Sequence, residues 1–249
     1  MAISENEYTF SMPMITPTYD AAANGALRLS ALLRWQQEAG ERHLIPAGMG
    51  WNALIERGIA FVASRWHAHI VRLPEMNERV TLTTWHREHR GARFLRCYEW
   101  RDAQGKLLLC GVMQFALVST VDHHLLRGDE FDPEGALPAC TQSVDCAAPA
   151  RYKLPELTAV REYPVGWSDT DINTHMNNTR YADLACDALA DKLAGHRIID
   201  VQMHFAGETR LGDTVTLAIG EADAAYVQGS TPRGTAFTAR IELVSDDGI

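Results

Sequence analysis

The chain has 249 residues and a mass of 27.7 kDa, which is enough for one large domain or two small ones. Hydrophobic residues make up 46% of it and charged residues 22%, a balance that excludes a disordered or collagen-like chain. Its formal net charge of −9 argues against a nucleic-acid partner.

The N-terminal residues and the cysteines indicate a cellular compartment. MAISENEYTF has neither the basic nor the apolar region of a secretory signal, and no apolar run approaches the roughly 18 residues that span a bilayer. The cysteines are odd in number and lack the CxxC spacing of a zinc site: Cys97, Cys110, Cys140, Cys146 and Cys186. We therefore expect a soluble cytoplasmic protein with reduced thiols, no membrane span, no metal ion and no other cofactor.

The first predicted elements are a helix and a set of strands. LRLSALLRWQQEAGERHL repeats apolar and glutamine side chains at helical spacing from Leu29 to Gln37. Strand-like alternation follows in VTLTTW at Val80–Trp85. A hairpin is predicted from Arg93–Trp100 and Lys106–Val118, around the turn DAQG.

A segment rich in prolines and small residues comes next. It has neither a helical nor a strand period, and it contains Pro133, Pro138, Pro149 and Pro155. We interpret residues 133–155 as a linker that separates a first domain, residues 1–132, from a second, residues 156–249.

The second domain repeats the order of the first. A helix is predicted over Asn177–Leu193, with Asn177 or Asn178 as its N-cap. VTLAIG at Val215–Gly220 matches the earlier strand at an offset of 135 positions, and a second hairpin surrounds STPRG. The helices are 152 positions apart, so the first domain has about 17 extra residues, roughly Pro46–Arg65.

This repetition predicts the fold class. Each half would have one long helix packed on an antiparallel β-sheet, and two such units side by side would bury both helices. The expected architecture is therefore an α+β tandem (double) hotdog, in which each helix lies in its own curved sheet.

The densest polar segment, residues 167–181, directly precedes the second helix. Asp171, Asn173 and His175 alternate there, so an extended backbone would project all three to one side. A histidine can act as a general base, and a carboxylate with an amide can orient it. A polar loop with an N-cap and Asx turns is the alternative, although capping needs no histidine.

The start of the second helix would supply backbone N–H groups to this segment. Such groups and the helix dipole favour negative charge, so they could stabilise an oxyanion. The candidate donors are Asn177, Asn178 and Thr179. YDAAANG, at the equivalent place in the first half, has no histidine, so a site is expected only in the second half.

SDTDINTHMNNTRYADL resembles the signature of the acyl-acyl-carrier-protein (acyl-ACP) thioesterases, which have an Asp-x-Asn-x-His-x-Asn-Asn-x-x-Tyr pattern. LLRWQQEAGERH and IIDVQMHFAGETRLGDTV also resemble that family, and the likeness runs from about residue 8 to residue 244. It implies a tandem hotdog that hydrolyses the thioester of fatty acyl-ACP in fatty acid biosynthesis, with acyl carrier protein as its partner. Whether the protein forms a homodimer stays open.

The same resemblance implies the catalytic residues. Asp171, Asn173 and His175 stand at the family's catalytic positions, and Glu208 matches its acidic partner. From spacing alone Glu208 would be a solvated acid at a strand end. Plant members often have a cysteine at the next position, but here it is Thr209, which favours attack by water. Which of the two acids or the histidine takes the proton stays open.

Two further groups are candidates for substrate contacts. The aromatic residues around the extra segment could line an acyl pocket or belong to the core: Trp51, Phe61 and Trp66. Four arginines in a locally basic stretch could dock the acidic carrier protein or form a solvated sheet face: Arg87, Arg90, Arg93 and Arg96.

Two other functions fit a hotdog fold. Enoyl-thioester hydratases also have Asp-x-Asn-x-His, usually with proline before the histidine, where this chain has Thr174. A non-catalytic acyl-thioester sensor would not need a base. Neither alternative would release free thiol from an acyl thioester.

Overall fold

The computed structural model describes residues 8–131, 139, 140 and 142–246. The chain divides into two compact units, Met1–Leu27 with Leu32–Pro149, and Arg28–Ala31 with Ala150–Ile249. Pro133 and Pro138 of the expected linker lie outside the described residues. No helix among the described residues is long and apolar enough to cross a membrane.

The first unit has an antiparallel sheet with the strand order β1-β3-β4-β5-β2. Its elements are β1 (Phe10–Ile15), α1 (Leu29–Leu44), α2 (Trp51–Glu56), β2 (Ile59–Ile70), β3 (Arg79–Arg90), β4 (Arg93–Asp102), β5 (Leu107–Ser119) and α3 (Gly128–Phe131). The predicted first helix, the strand at Val80–Trp85 and the hairpin around DAQG are therefore confirmed.

Helix α1 packs one face on the inner face of this sheet. Leu32, Leu33 and Gln36 are fully buried, as their spacing at i, i+1 and i+4 requires. The Gln36 Oε1 atom accepts a hydrogen bond of 2.9 Å from Nε1 of Trp66 in β2. This contact satisfies the indole N–H of a fully buried tryptophan.

The second unit has the strand order β7-β10-β9-β8-β6, again antiparallel. Its elements are β6 (Thr158–Pro164), α4 (Arg180–Ala188), α5 (Ala190–Leu193), β7 (His196–Phe205), β8 (Thr214–Glu221), β9 (Ala225–Thr231) and β10 (Gly234–Ser245). Helix α4 contacts β8, β9 and β10. The ring of its Tyr181 stacks on Phe237, with centroids 4.9 Å apart.

The prediction of one long second helix is wrong. The backbone leaves the helical region at Leu189, with φ −105° and ψ 14°, so that α4 has nine residues and α5 only four. Leu189 is buried at this break, and α5 contacts β7. The two short helices thus contact different strands of the sheet, α4 lying on β8, β9 and β10 and α5 on β7.

Candidate active site

The loop before α4 is a tight reversal. A 3₁₀ turn at Trp167–Asp169 leads into paired positions Thr170 and Met176. Between them the Asp171 N–H donates to the His175 carbonyl over 3.0 Å, and Thr174 has φ +64°. The expected extended backbone from Asp171 to His175 is therefore wrong.

The Asp171 carboxylate explains the reversal. Its Oδ1 atom accepts a 2.8 Å hydrogen bond from the Asn173 N–H, which is an Asx turn. Its Oδ2 atom accepts from Nδ2 of Asn177 over 3.0 Å. Asp171 therefore holds the loop against the start of the helix, while the side chain of Asn173 is exposed to solvent.

The N-cap of α4 is Thr179, so the prediction of Asn177 or Asn178 as the cap is wrong, and Asn177 instead forms an Asx turn just before the helix. Its Oδ1 atom accepts from the backbone N–H of Thr179 over 3.0 Å and from the Thr179 hydroxyl over 2.7 Å. The Asn177 N–H itself donates to the Asp169 carbonyl over 2.9 Å. The N–H groups of Asn177 and Thr179 are thus occupied, which corrects their assignment to an oxyanion.

His175 lies beside the second predicted segment through backbone pairing. Met176 N donates to Thr209 O over 2.6 Å, and His175 is paired antiparallel with Arg210. Paired residues of an antiparallel ladder project to the same face, and so do residues two apart on one strand. The side chain of Arg210 therefore lies on the same face as that of His175, and its guanidinium reaches Glu208 over 3.4 Å.

One contact of the His175 ring bears on its tautomer. It is half-buried, and its Nδ1 atom lies 3.4 Å from the Met176 carbonyl, which can only accept a hydrogen bond. The neutral ring that makes this contact carries its proton on Nδ1, so Nε2 has the lone pair. That tautomer suits a general base acting through Nε2.

Glu208 is exposed and lies among arginines. Its Oε2 atom is 3.4 Å from Nη2 of Arg210, and its backbone carbonyl accepts from Nη2 of Arg233 over 3.4 Å. A hydrogen bond from Arg233 in turn lowers the pKa of Asp213 below its ordinary value. Glu208 therefore lies in a locally positive part of the site.

Thr209 faces the interior. It is fully buried, and its hydroxyl lies 2.9 Å from the Tyr181 hydroxyl. Burial raises the pKa of Tyr181, so this tyrosine is no base for the threonine. Gly207 beside them is required by packing, because a Cβ there would be 2.9 Å from the Thr235 carbonyl.

Asp169 and Arg210 were not picked out as site residues from the sequence. Asp169 is buried and accepts hydrogen bonds from Gly166 N, Tyr163 OH and Arg180 Nε at 2.9 to 3.0 Å. This network clamps the loop to the first turn of α4. Arg210 could have been found from the sequence, because it stands two positions after Glu208 in AGETRLGD.

The equivalent loop of the first unit has the same backbone but different side chains. Ala22 N donates to Ala26 O over 2.7 Å, as Asp171 N donates to His175 O. Alanine therefore occupies the positions of the aspartate and the histidine.

The partner segments correspond as well. Leu27 N donates to Pro74 O over 2.7 Å, as Met176 N donates to Thr209 O. The residue before Pro74 is Leu73, where the second unit has its glutamate. The first unit thus has the frame of the site but lacks counterparts of Asp171, His175 and Glu208.

The aromatic candidates differ in their surroundings. Phe61 belongs to a cluster of apolar side chains in the first unit, with ring centroids 5.0 Å from Phe94 and 5.2 Å from Phe131. Trp66 is fully buried beneath α1, and Trp51 is 39% exposed at the start of α2.

The arginine candidates do not form one surface. Arg96 is only 6% exposed and donates to Nδ1 of His43 over 2.9 Å, so its assignment to a docking face is wrong. Arg96 follows Phe94 by two positions on β4, so both point inward. Arg87 and Arg90 lie 3.4 and 3.2 Å from Glu88, and Arg93 is exposed.

The described part of the chain contains no group of three or more histidine, cysteine, aspartate or glutamate residues that could hold a metal ion.

Comparisons with known protein families give two matches for this chain. The family model for the acyl-ACP thioesterase N-terminal domain matches residues 7–127, and that for the C-terminal domain matches residues 152–242. No curated protein sequence matches the chain.

Two solved structures share the fold. An acyl-ACP thioesterase from Bacteroides thetaiotaomicron has a TM-score of 0.88 at 18% identity, covering 98% of this chain and 100% of that one. The 12:0-ACP thioesterase from Umbellularia californica has a TM-score of 0.80 at 19% identity, covering 95% and 97%. The fold is therefore of the hotdog type. The chain belongs to the acyl-ACP thioesterase family and is a thioester hydrolase that acts on fatty acyl-ACP.

Proposed function

We propose that hydrolysis takes place in the second unit, by attack of water with His175 as the general base. The observation that supports this proposal is the pairing of His175 with Arg210, whose guanidinium lies 3.4 Å from the Glu208 carboxylate. Nε2 of His175 would take the proton of the water, and the Glu208 carboxylate would orient that water. Removal of the imidazole, assayed as free thiol released from fatty acyl-ACP, tests this assignment.

Asp171 is a positioning residue in this scheme. Both of its carboxylate oxygens accept hydrogen bonds from the loop, at 2.8 and 3.0 Å, so they are engaged in holding its shape. The exposed amide of Asn173, two residues before His175, is then free to turn toward the water or the substrate carbonyl. Because Asp171 is engaged in the loop, the candidates for the general base are His175 and Glu208. The contact of His175 through Nδ1 leaves Nε2 to accept the proton, so we favour His175.

We propose a division of labour between two hotdog halves, residues 1–132 and 156–249, joined by the linker 133–155. The first half would shape the acyl pocket, and the second would carry the chemistry. What supports this division is the replacement of the aspartate, histidine and glutamate by Ala22, Ala26 and Leu73 on the same backbone frame.

Trp51→Ala or Phe61→Ala should change the acyl chain-length preference by about tenfold, with little loss of turnover on the best substrate. The reason for Phe61 is its place in an apolar cluster that can be remodelled locally. A panel of acyl-ACP substrates of increasing chain length measures this ratio. Trp66→Ala is the contrasting variant, because loss of a fully buried tryptophan should cost about 3–5 kcal/mol of stability. Equal losses at all chain lengths in a folded Phe61→Ala enzyme would contradict the assignment.

Docking of the acidic carrier protein is proposed for the exposed arginines of β3 and β4. Arg93→Glu should raise the KM for acyl-ACP about tenfold and leave kcat unchanged, because a rim charge acts mainly on association. The KM for the same acyl group on coenzyme A should not change. Arg161→Glu, also exposed but on the second unit, is the matched control. An equal rise for both substrates would refute docking at Arg93.

A further inference from the structure

Four of the five cysteines come together in the first unit, far apart as they are in the sequence. Cys97 in β4 and Cys110 in β5 project from the outer face of the sheet, where Cys97 is paired with Val112 and Cys110 with Glu99. Residues 142–149, here named the strap, lie on this face. One buried cluster contains Trp85, Cys97, Cys110, Val112 and Cys146, with Cys140 packed against it.

The strap is fixed to the sheet at three places. Nε1 of Trp85 donates to the Gln142 carbonyl over 3.2 Å, and Nδ1 of His67 lies 2.8 Å from the Ala147 carbonyl. The thiol of Cys110 donates to the Asp145 carbonyl over 3.0 Å. Asp145 directly precedes Cys146, so these bonds hold the strap in register with its cysteine above β5.

Cys110 and Cys146 are neighbours in this buried cluster. The Cys146 sulfur lies 3.7 Å from the His67 carbonyl, which fixes its side chain over the neighbouring strand β2. Because the Cys110 thiol reaches the carbonyl of the residue directly before Cys146, the two side chains lie beside each other on the outer face of the sheet. Cys186, by contrast, lies in α4 of the second unit and does not belong to this cluster.

Only one sulfur of this pair can be approached from solvent. A cavity of about 520 Å³ is lined by Cys146 and other residues of the strap. Cys140 and Arg87, which lie outside the strap, also line it. Cys146 is 8% exposed, and Cys110 is fully buried behind it. A small oxidant entering the cavity therefore meets Cys146 before Cys110.

The chemical environments of the thiols also differ. The neighbouring Cys146 thiol lowers the pKa of Cys110, which favours the Cys110 thiolate. Burial raises the pKa of both Cys97 and Cys186 to about 12, so those two remain protonated thiols. Because the thiolate is the attacking form of sulfur, Cys110 suits attack on an oxidised neighbour, whereas Cys97 and Cys186 do not.

We propose that Cys146 and Cys110 form an oxidation site, at which hydrogen peroxide converts the two thiols into a disulfide between the strap and β5. The Cys146 sulfur attacks one oxygen of the peroxide, the O–O bond breaks, and a sulfenic acid and one water are formed. The Cys110 sulfur then attacks the Cys146 sulfur and displaces its oxygen as a second water. In sum, two thiols and one hydrogen peroxide give one disulfide and two waters.

The disulfide closes the chain between residues 110 and 146. A cross-link of this span restricts the unfolded chain, so oxidation should raise the Tm by roughly 5–10 °C, and dithiothreitol should reverse the rise. This modification lies in the first unit, apart from the residues proposed for hydrolysis, and does not depend on that proposal.

The experiment treats the reduced full-length protein with hydrogen peroxide and maps cross-linked peptides after alkylation. A peptide joining Cys110 to Cys146, with a loss of two titratable thiols per chain, is the expected result. Cys97→Ser and Cys186→Ser are the matched controls and should form the same cross-link. Any other pairing, a disulfide between two chains, or retention of all five thiols would overturn the proposal.

The order of the two steps is tested separately. In the Cys97→Ser/Cys110→Ser/Cys140→Ser variant the sulfenic acid on Cys146 has no neighbouring thiol in the cluster to resolve it, so it should be trapped by dimedone. In Cys146→Ser the buried Cys110 should not be labelled. Label on Cys110 instead of Cys146 would refute the assignment of the attacking sulfur. Near-ultraviolet circular dichroism of the reduced variants establishes that each one is folded.

Discussion

His175→Ala is expected to lower kcat/KM for fatty acyl-ACP about 100- to 10,000-fold, the usual cost of losing a general base. The fold should survive, because His175 lies in a loop and only its Nδ1 atom contacts the backbone, at 3.4 Å from Met176 O. The measurement is the rate of free-thiol release, with the Tm recorded for the same preparation.

His196→Ala is the matched control for this substitution. His196 lies at the edge of the second unit, in β7, and its Nδ1 atom also contacts a backbone carbonyl, that of Ala194 at 3.3 Å. It should hydrolyse at the wild-type rate. A His175→Ala enzyme with near wild-type activity would remove His175 from the mechanism and leave Glu208 as the base.

Glu208→Gln should lower kcat about 100-fold with little change in KM, because the amide keeps the shape of the side chain but cannot orient water as a charged acceptor. Since the carboxylate is exposed and its ion pair with Arg210 is long, at 3.4 Å, stability should change little. Steady-state kinetics on acyl-ACP separate the two parameters.

Glu221→Gln serves as the control for Glu208. Glu221 is an exposed acid at the end of β8 that pairs with Lys192. No change is expected there. If Glu208→Gln is also unchanged, Glu208 is only the solvated acid at a strand end that its spacing alone would indicate.

The regular elements could be predicted because their periods are simple. The i, i+3, i+4 spacing from Leu29 gave helix α1, and alternation at Val80–Trp85 gave part of β3. The break at Leu189 has no such signal, because nothing in the local pattern from Tyr181 stops a helix before Gly195. It depends on contacts of α5 with β7, which are tertiary.

The sequence predicted which residues belong to the candidate site, but not the backbone conformation that carries them. Alternating Asp171, Asn173 and His175 suggested an extended chain, whereas the Asx turn of Asp171 and the positive φ of Thr174 reverse it. A β-branched residue rarely adopts that conformation, so the sequence gives no local warning of it.

Arg96 shows a different kind of error. The predicted docking surface combines arginines that are three positions apart. Side chains in a strand point to the same face only at every second position. The period of two places Arg96 with Phe94 and Tyr98 on the buried face, and this could have been predicted once the strand was assigned.

We expect each chain to have one active site, in the second unit. Isothermal titration with a non-hydrolysable acyl thioether analogue of acyl-ACP tests this most directly. One equivalent bound per chain is expected, because Ala22, Ala26 and Leu73 replace the polar residues in the first unit. Two equivalents of equal affinity per chain would contradict the claim.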